Sequence, residues 1–271
     1  MLLVNIEELA TRNELNYVDM HKALEALYKL DYNPVAIKFF FDQEEFDNFI
    51  PEKIPASKMT FCQAALASRM ENYIVKVTDD KIFCGNAKTV FGFREASDAE
   101  VDEQIKYTGD WDLAKECMDA RPKLPLGQLK GIMTAPLYKT PVEPDVVFFV
   151  VDVFQAYHIL NDYMAGCNIS TISSNHTINS VVCGGSVRCF QENTPEMKTM
   201  CAGSFTSGKT EKGEVNLFIP GKHIGQLAKR LIQRTLKSGG SSFLGSGGQE
   251  FPGIDVCKKC PMIRFKDPKS E

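Results

Sequence analysis

The apolar run at residues 35–41 constrains the fold more than any other segment of the chain. It reads Val-Ala-Ile-Lys-Phe-Phe-Phe, its one charged residue is Lys38, and it directly follows Asn33-Pro34, a pair that ends helices. A strand this apolar cannot leave one face in water, because both faces then need cover from the rest of the protein. The run therefore predicts a central strand in a sheet.

Helix and strand patterns alternate along the rest of the chain. Apolar residues recur at steps of three and four between residues 16 and 30, which predicts a helix. Alternation of this kind predicts an α/β or α+β fold with a mixed, partly parallel sheet flanked by helices. Further strand patterns lie at residues 73–78, 131–135, 144–151 and 214–219, and further helical patterns at 43–50, from 60, and at 97–106, 111–120, 154–164 and 222–237.

Composition divides the chain into three parts. Residues 1–237 carry the regular patterns and are predicted to form a single α/β domain, within which residues 166–208 are rich in small polar residues and are predicted to be loops. Residues 238–250 are rich in Gly and Ser, which is typical of a linker. Residues 251–271 form a C-terminal tail.

The charge and the apolar runs exclude several classes of protein. A formal net charge of -4 argues against nucleic-acid binding, which needs clustered positive charge. The longest apolar run, residues 146–151, is far shorter than the roughly 20 residues of a membrane-spanning helix. The N-terminus has no basic segment or cleavage site typical of a signal peptide. We therefore expect a cytoplasmic protein that binds neither nucleic acid nor membrane.

Nine cysteines are many for such a chain. Disulfides rarely persist in a reducing cytosol, so cysteines there more often bind metal, carry redox chemistry or fill the core. Cys62 comes two residues after Thr60, a predicted N-cap, and so falls in the first turn of a helix. The free N–H groups and the positive end of the helix dipole stabilise a thiolate there, the form that binds metal.

Three other cysteines precede a small residue. Small neighbours allow the backbone to approach a bulky cluster closely and to direct N–H groups at its sulfurs. Single ligands scattered along a chain are unlike the paired spacing of structural zinc modules, whereas iron–sulfur clusters tolerate such scatter. We therefore predict a four-iron four-sulfur cluster on Cys62 and these three residues, which are Cys84 before Gly85, Cys183 before Gly184 and Cys201 before Ala202.

The tail contains the one compact cysteine motif, Cys257-Lys258-Lys259-Cys260-Pro261. The pair Cys257 and Cys260 is suited to chelating a second metal or cluster, or to acting as a redox dithiol. Two ligands cannot complete a four-ligand site. A metal there would need cysteines from elsewhere in the chain or from a second subunit. A homo-oligomer therefore stays among the open alternatives.

A second motif has the spacing of a phosphate-binding loop, with Gly203 five positions before Gly208-Lys209-Thr210. Such a loop must join a buried strand to a helix, and the flanking residues favour neither element. His176 remains open as a ligand or proton donor, and no catalytic residue is identified from the sequence.

A series of short motifs occurs in the same order as in a known family. Over residues 15–237 the chain resembles the family classed as domain of unknown function 169, which is common in anaerobic bacteria and archaea. The resemblance implies a cysteine-centred core and an anaerobic setting without implying a reaction, and it matches the family's recurring cysteines to Cys62, Cys84, Cys183 and Cys201. The motifs are Pro34-Val35-Ala36-Ile37-Lys38, Phe61-Cys62-Gln63-Ala64, Phe83-Cys84-Gly85, Phe91-Gly92-Phe93, Ala135-Pro136-Leu137, Pro144-Asp145-Val146-Val147, Val182-Cys183-Gly184, Cys201-Ala202-Gly203 and Phe218-Ile219-Pro220.

The leading hypothesis is an iron–sulfur protein that carries electrons to, or reduces, a small substrate in anaerobic metabolism, with the substrate or a redox protein as its partner. It would then be an oxidoreductase. Two alternatives stay open. One is a small-molecule or tetrapyrrole-binding module without redox catalysis, and the other is a thiol redox protein that uses Cys257 and Cys260.

Overall fold

One six-stranded sheet forms the centre of the protein, whose computed structural model describes residues 5–174 and 176–237. The predicted linker and the tail with Cys257 and Cys260 lie outside the described residues. The strands run in the order β2-β3-β1-β4-β6-β5 across the sheet. They are β1 (Val35–Phe40), β2 (Val75–Val77), β3 (Gly131–Pro136), β4 (Val146–Asp152), β5 (Glu196–Lys198) and β6 (Glu214–Pro220).

Strand β1 is central, as its apolar sequence predicts. Val35 pairs with Pro136 of β3 on one side and with Phe148 of β4 on the other. Successive side chains of a strand point to opposite faces, so Ala36 and Phe40 enter the core on one face of the sheet while Ile37 and Phe39 enter the core on the other. Burial on both faces is what a nearly continuous apolar strand requires.

The prediction of a partly parallel sheet is wrong, because all the paired strands are antiparallel. Parallel pairing among the described residues is confined to two isolated bridges, Lys53 with Val75 of β2 and Met59 with Ile82. The helical connections between strands return the chain to one end of the sheet or to the other. Alternation of helices and strands therefore did not fix strand direction.

Helices cover both faces of the sheet. Helices α2, α9 and α12 pack on one face, and α4, α5 and α10 pack on the other. The helices are α1 (Ile6–Thr11), α2 (Tyr17–Tyr28), α3 (Gln43–Asn48), α4 (Phe61–Met70), α5 (Gly85–Val90), α6 (Asp98–Asp102), α7 (Ile105–Thr108), α8 (Trp111–Asp119), α9 (Val153–Cys167), α10 (Val181–Glu192), α11 (Ala202–Thr206) and α12 (Ile224–Lys237), with short 3-10 turns at Asp79–Lys81, Leu137–Lys139 and Gly221–His223.

Helix α10 lies in the segment that the sequence predicted to be loops. Its second glycine, Gly185, packs directly on the sheet, since a Cβ atom there would lie 2.2 Å from Cε2 of the buried Phe218. Glycine weakens an isolated helix. Here it permits a close helix–sheet contact, and packing outweighs the poor intrinsic propensity.

In the part of the chain that the structure describes, no helix has the length and apolar character needed to cross a bilayer. The longest described helix is α9, with 15 residues.

Candidate metal centre

The four cysteines singled out within the domain all lie at helix starts. Cys62 is the second residue of α4, and Cys183 is the third residue of α10. Cys84 and Cys201 are the N-cap residues of α5 and α11. All four therefore sit where backbone N–H groups are not yet bonded within the helix.

The sequence specifies these starts locally. Oγ1 of Thr60 accepts a hydrogen bond from the N–H of Gln63 at 3.2 Å, and Oε1 of Gln63 accepts one from the N–H of Thr60 at 2.8 Å. This pair fixes the beginning of α4 just before Cys62. At α11 the sulfur of Cys201 itself accepts from the N–H of Ser204 at 3.5 Å. This sulfur therefore lies at a helix N-terminus, where backbone N–H groups favour a negatively charged atom.

The four helix starts converge on one cavity. This inner cavity has a volume of about 200 Å³ and is lined by Cys62, Cys84, Cys183 and Cys201 together with polar, apolar and charged residues, the charged ones being Glu103 and Lys106. The structure thus brings together four cysteines that are up to 139 positions apart in sequence. It shows nothing of Cys257 and Cys260.

Gly203 leaves space between two of the sulfurs. A Cβ atom at this position would lie 3.7 Å from Sγ of Cys62 and 3.8 Å from Sγ of Cys201. Gly208 packs against Cys62 as well, because its Cβ would lie 3.3 Å from Cβ of that cysteine. Gly203 therefore allows the backbone to come close to two of the sulfurs, and Gly208 allows it to come close to the side chain of Cys62.

The cavity disfavours four thiolates without added positive charge. Burial raises the pKa of the thiols of Cys62, Cys84 and Cys183, and the charge of neighbouring cysteines raises it further. At Cys84 the N–H groups of Ala87 and Asn86 oppose this shift in pKa. Like charges in a buried site keep one another protonated unless a cation offsets them.

A buried arginine lies beside the cysteines. Arg121 is 3% exposed, and its guanidinium donates to the carbonyl oxygen of Ile178 at 3.1 Å, to Oδ1 of Asn86 at 2.6 Å and to Oε1 of Gln104 at 3.1 Å. All three acceptors are neutral. Among the described ion pairs none involves Arg121, although a buried charge without an opposite charge is costly.

The cysteines beside this guanidinium would supply negative charge to it if they were ionised. Burial lowers the pKa of Arg121, whereas Cys183, Cys117, Cys84 and Cys201 act to raise it. A negatively charged group held by the cysteines would therefore balance this buried cation. The sequence analysis did not identify Arg121, because a single arginine before a proline carries no spacing signal.

Two strained residues precede Cys183. Asn179 and Ser180 have φ angles of 59° and 56°, in the left-handed region that costs a non-glycine residue about 1 kcal/mol or more. Asn179 is held there by donating to Oε1 of Gln104 at 2.7 Å, the same oxygen that Arg121 contacts. Ser180 is buried, and its hydroxyl has no hydrogen-bond partner among the described residues. Such strain is concentrated at functional sites.

The cysteines do not form a site for a single ion. Within residues 5–174 and 176–237, no three histidine, cysteine, aspartate or glutamate side chains are grouped closely enough to hold one metal ion. A zinc site needs its sulfurs to converge to about 2.3 Å from one point. The inner cavity of about 200 Å³ exceeds several-fold the roughly 30 Å³ of one water molecule. The size of the inner cavity therefore better matches a group of several atoms that the surrounding cysteines would hold at its periphery.

The other described cysteines lie away from the inner cavity. Cys189 is a buried residue of α10, Cys117 lies on α8, and the thiol of Cys167 donates to Oε1 of Gln226 on the opposite face of the sheet. The segment with phosphate-loop spacing also has another role. The carbonyl oxygens of Gly208 and Lys209 accept from the guanidinium of Arg69, and strand β6 follows instead of a helix.

A second, outer cavity of about 470 Å³ adjoins the first. The two share Tyr107, Asn179, Val181, Cys201 and Ala202 in their walls. His176 lines the outer cavity and is exposed, so the structure places it at the approach to the cysteines and not among them.

Comparison with the curated proteins and with the solved structures found no match. A family profile matches residues 23–230, which include all four cysteines of the inner cavity and exclude the tail pair. The profile is that of the domain of unknown function 169, described as uncharacterised ArCR. Because the match covers well over half of the 271 residues, the chain belongs to this family.

Proposed function

We propose that this protein holds a four-iron four-sulfur cluster on Cys62, Cys84, Cys183 and Cys201. Its function would be to pass electrons to a small substrate, or to reduce it, in the cytoplasm of an anaerobic cell. The observation that carries the proposal is the meeting of four cysteines, each at the start of a different helix, on one cavity.

The donor set fits this group in number and chemistry. Four thiolates are the usual ligands of a four-iron cluster. When bound, such a cluster supplies a one-electron redox couple. Gly203 leaves open the space between Sγ of Cys62 and Sγ of Cys201, and the cavity is larger than one ion needs.

The surrounding residues fit a negatively charged group. The N–H groups of the four helix starts direct partial positive charge at the sulfurs. Arg121 adds a full positive charge that has only neutral hydrogen-bond acceptors. Gln104 accepts from both Arg121 and Asn179, so it couples the loop before Cys183 to this cation.

A binding module without redox chemistry is the second candidate. It is favoured by the lack, among the described residues, of any group that could hold a single ion, and by the outer cavity beside the cysteines. Under this proposal the cysteines only line a pocket, and replacing them would leave ligand binding unchanged.

Anaerobic purification of the full chain tests the first proposal. We expect a brown protein with broad absorption near 400 nm, about four iron and four sulfide per chain, and an electron paramagnetic resonance signal after reduction with dithionite. Each of Cys62→Ser, Cys84→Ser, Cys183→Ser and Cys201→Ser should lose most of the iron. Cys167→Ser is the matched control, since serine can keep the hydrogen bond to Gln226 on the far face.

Two results would contradict the proposal. One is a folded, colourless protein without iron after anaerobic purification and after reconstitution with iron and sulfide. The other is iron that persists in all four serine variants. Iron lost only when Cys257 and Cys260 are replaced would move the cluster to the tail.

A further inference from the structure

The outer cavity is set against the cysteine centre. Cys201 and Ala202, at the start of α11, form part of the wall of both cavities, as do Asn179 and Val181 before and within α10. Its volume of about 470 Å³ lies within the roughly 300–1,000 Å³ of small-molecule sites. A molecule bound there would lie next to the sulfur of Cys201.

The described residues of its wall carry no permanent charge. None of them is an aspartate, glutamate, lysine or arginine. A charged ligand would meet no oppositely charged side chain in this wall, and its apolar residues would displace part of the ligand's hydration. The wall therefore favours an uncharged ligand.

Two aromatic rings border the cavity and remain in contact with solvent. Tyr107 is 50% exposed and Phe205 is 46% exposed, although both are large apolar side chains. Flat rings pack favourably on such faces. Met200, with its adaptable thioether, and Ile178 extend the apolar wall.

One unpaired hydroxyl lies in the wall of the outer cavity, and a second lies in the wall of the adjoining inner cavity. Oγ1 of Thr177 in the outer wall is buried and has no hydrogen-bond partner among the described residues. The same holds for Oγ of Ser180, whose residue is 4% exposed and lines the inner cavity. Leaving a buried hydroxyl unpaired is unfavourable, and a hydrogen bond to a ligand atom would remove that penalty.

We propose that the outer cavity binds an uncharged, planar ring molecule with at least one hydrogen-bonding substituent. Tyr107 and Phe205 would pack on the ring, and Thr177 would bond its substituent. A further assignment rests on the proposed function: this molecule would be the substrate that receives electrons at the cysteine centre.

Three probes with one carbon skeleton test the class of ligand. They are 2-naphthol, which is planar and neutral, 2-naphthoate, which is planar and anionic, and decahydro-2-naphthol, which is neutral and not planar. Binding to the anaerobically purified full chain is measured by titration calorimetry and saturation-transfer NMR. We expect 2-naphthol to bind at one site per chain, and each of the other two about tenfold more weakly or less.

A matched pair of variants locates the site. Phe205→Ala should weaken 2-naphthol binding about threefold to tenfold. Phe154→Ala, which removes a phenylalanine of nearly the same exposure, 45%, from α9 outside both cavities, should leave it unchanged. Equal binding of 2-naphthoate or of the saturated alcohol by the unaltered protein overturns the proposal, as does an unchanged affinity in a folded Phe205→Ala variant.

Iron analysis of the same sample keeps the two proposals separate. Selective 2-naphthol binding by a protein without iron supports the ring site and contradicts the cluster. Iron without any 2-naphthol binding retains the cluster and overturns the ring site.

Discussion

Nη1 of Arg121 donates a 2.6 Å hydrogen bond to Oδ1 of Asn86, two residues beyond Cys84. The contact joins the end of α8 to the first turn of α5. It holds a buried guanidinium next to the cysteine cavity, where its charge faces thiols and neutral acceptors. A positive charge in that position favours the more negative state of any group bound there.

Arg121→Gln should make the bound cluster harder to reduce. The variant removes the buried cation and keeps a polar side chain, whereas Arg121→Lys is the control that keeps the charge. We expect the equilibrium constant for one-electron reduction to fall about tenfold in Arg121→Gln, a shift of about 59 mV to more negative potential. Anaerobic redox titration measures it. Equal midpoint potentials in both variants and the original protein would refute a role for the charge.

Gly203→Ala should reduce iron binding without unfolding the protein. The added methyl group would lie at ordinary contact distance, 3.7 Å and 3.8 Å, from the sulfurs of Cys62 and Cys201, so it fills their shared space without a clash. We expect most of the iron to be lost and the circular dichroism spectrum to be retained. Gly225→Ala is the control, because the added methyl there meets only the terminal carbon of Met20 on the other face. Full iron content in Gly203→Ala would place the cluster elsewhere.

Gly185→Ala should destabilise the fold. The new methyl would lie 2.2 Å from Cε2 of Phe218, and that ring is stacked on Phe148 at 5.0 Å between centroids, so it has little room to move. Overpacking of this kind costs about 1–3 kcal/mol. Urea unfolding measures the loss. The neighbouring Gly184→Ala, whose methyl would meet Cβ of Ser180 at 3.4 Å, should cost less, and equal costs would show that helix propensity, not the contact with Phe218, decides.

The sequence predicted those features that depend on local pattern. The apolar run at residues 35–41 predicted the central strand β1, and the three- and four-residue periodicity predicted α2. Thr60 predicted the start of α4, and small neighbours drew attention to Cys84, Cys183 and Cys201, which line one cavity with Cys62.

Features that depend on distant contacts were not predicted. Helix α10 exists because Gly185 can approach Phe218, a contact between residues 33 positions apart that no local propensity encodes. Strand direction depends on the end of the sheet to which each helical connection returns the chain. The role of Arg121 depends on the fold, which places the acceptors Asn86 and Gln104 around its guanidinium.

His21 should make stability fall on acidification. Burial lowers its pKa to about 4, and its Nδ1 has no hydrogen-bond partner among the described residues. Between the unfolded pKa of about 6.5 and the folded value of about 4, the unfolded chain binds the proton more readily. Stability is therefore greatest above this window and declines as pH falls through it, by about 3 kcal/mol at most.

Urea unfolding of the full chain between pH 7 and pH 4 measures this slope. His21→Leu should remove the share of the slope that this ring causes, because leucine cannot take up a proton in either state. Glu25 is the nearest carboxylate, with Oε2 3.6 Å from Nε2 of His21, but it is 47% exposed, and an ion pair of that kind contributes little. Glu25→Gln should therefore keep the slope of the original protein. An undiminished slope in His21→Leu, or a slope that is reduced in Glu25→Gln, would show that burial of this imidazole is not the cause.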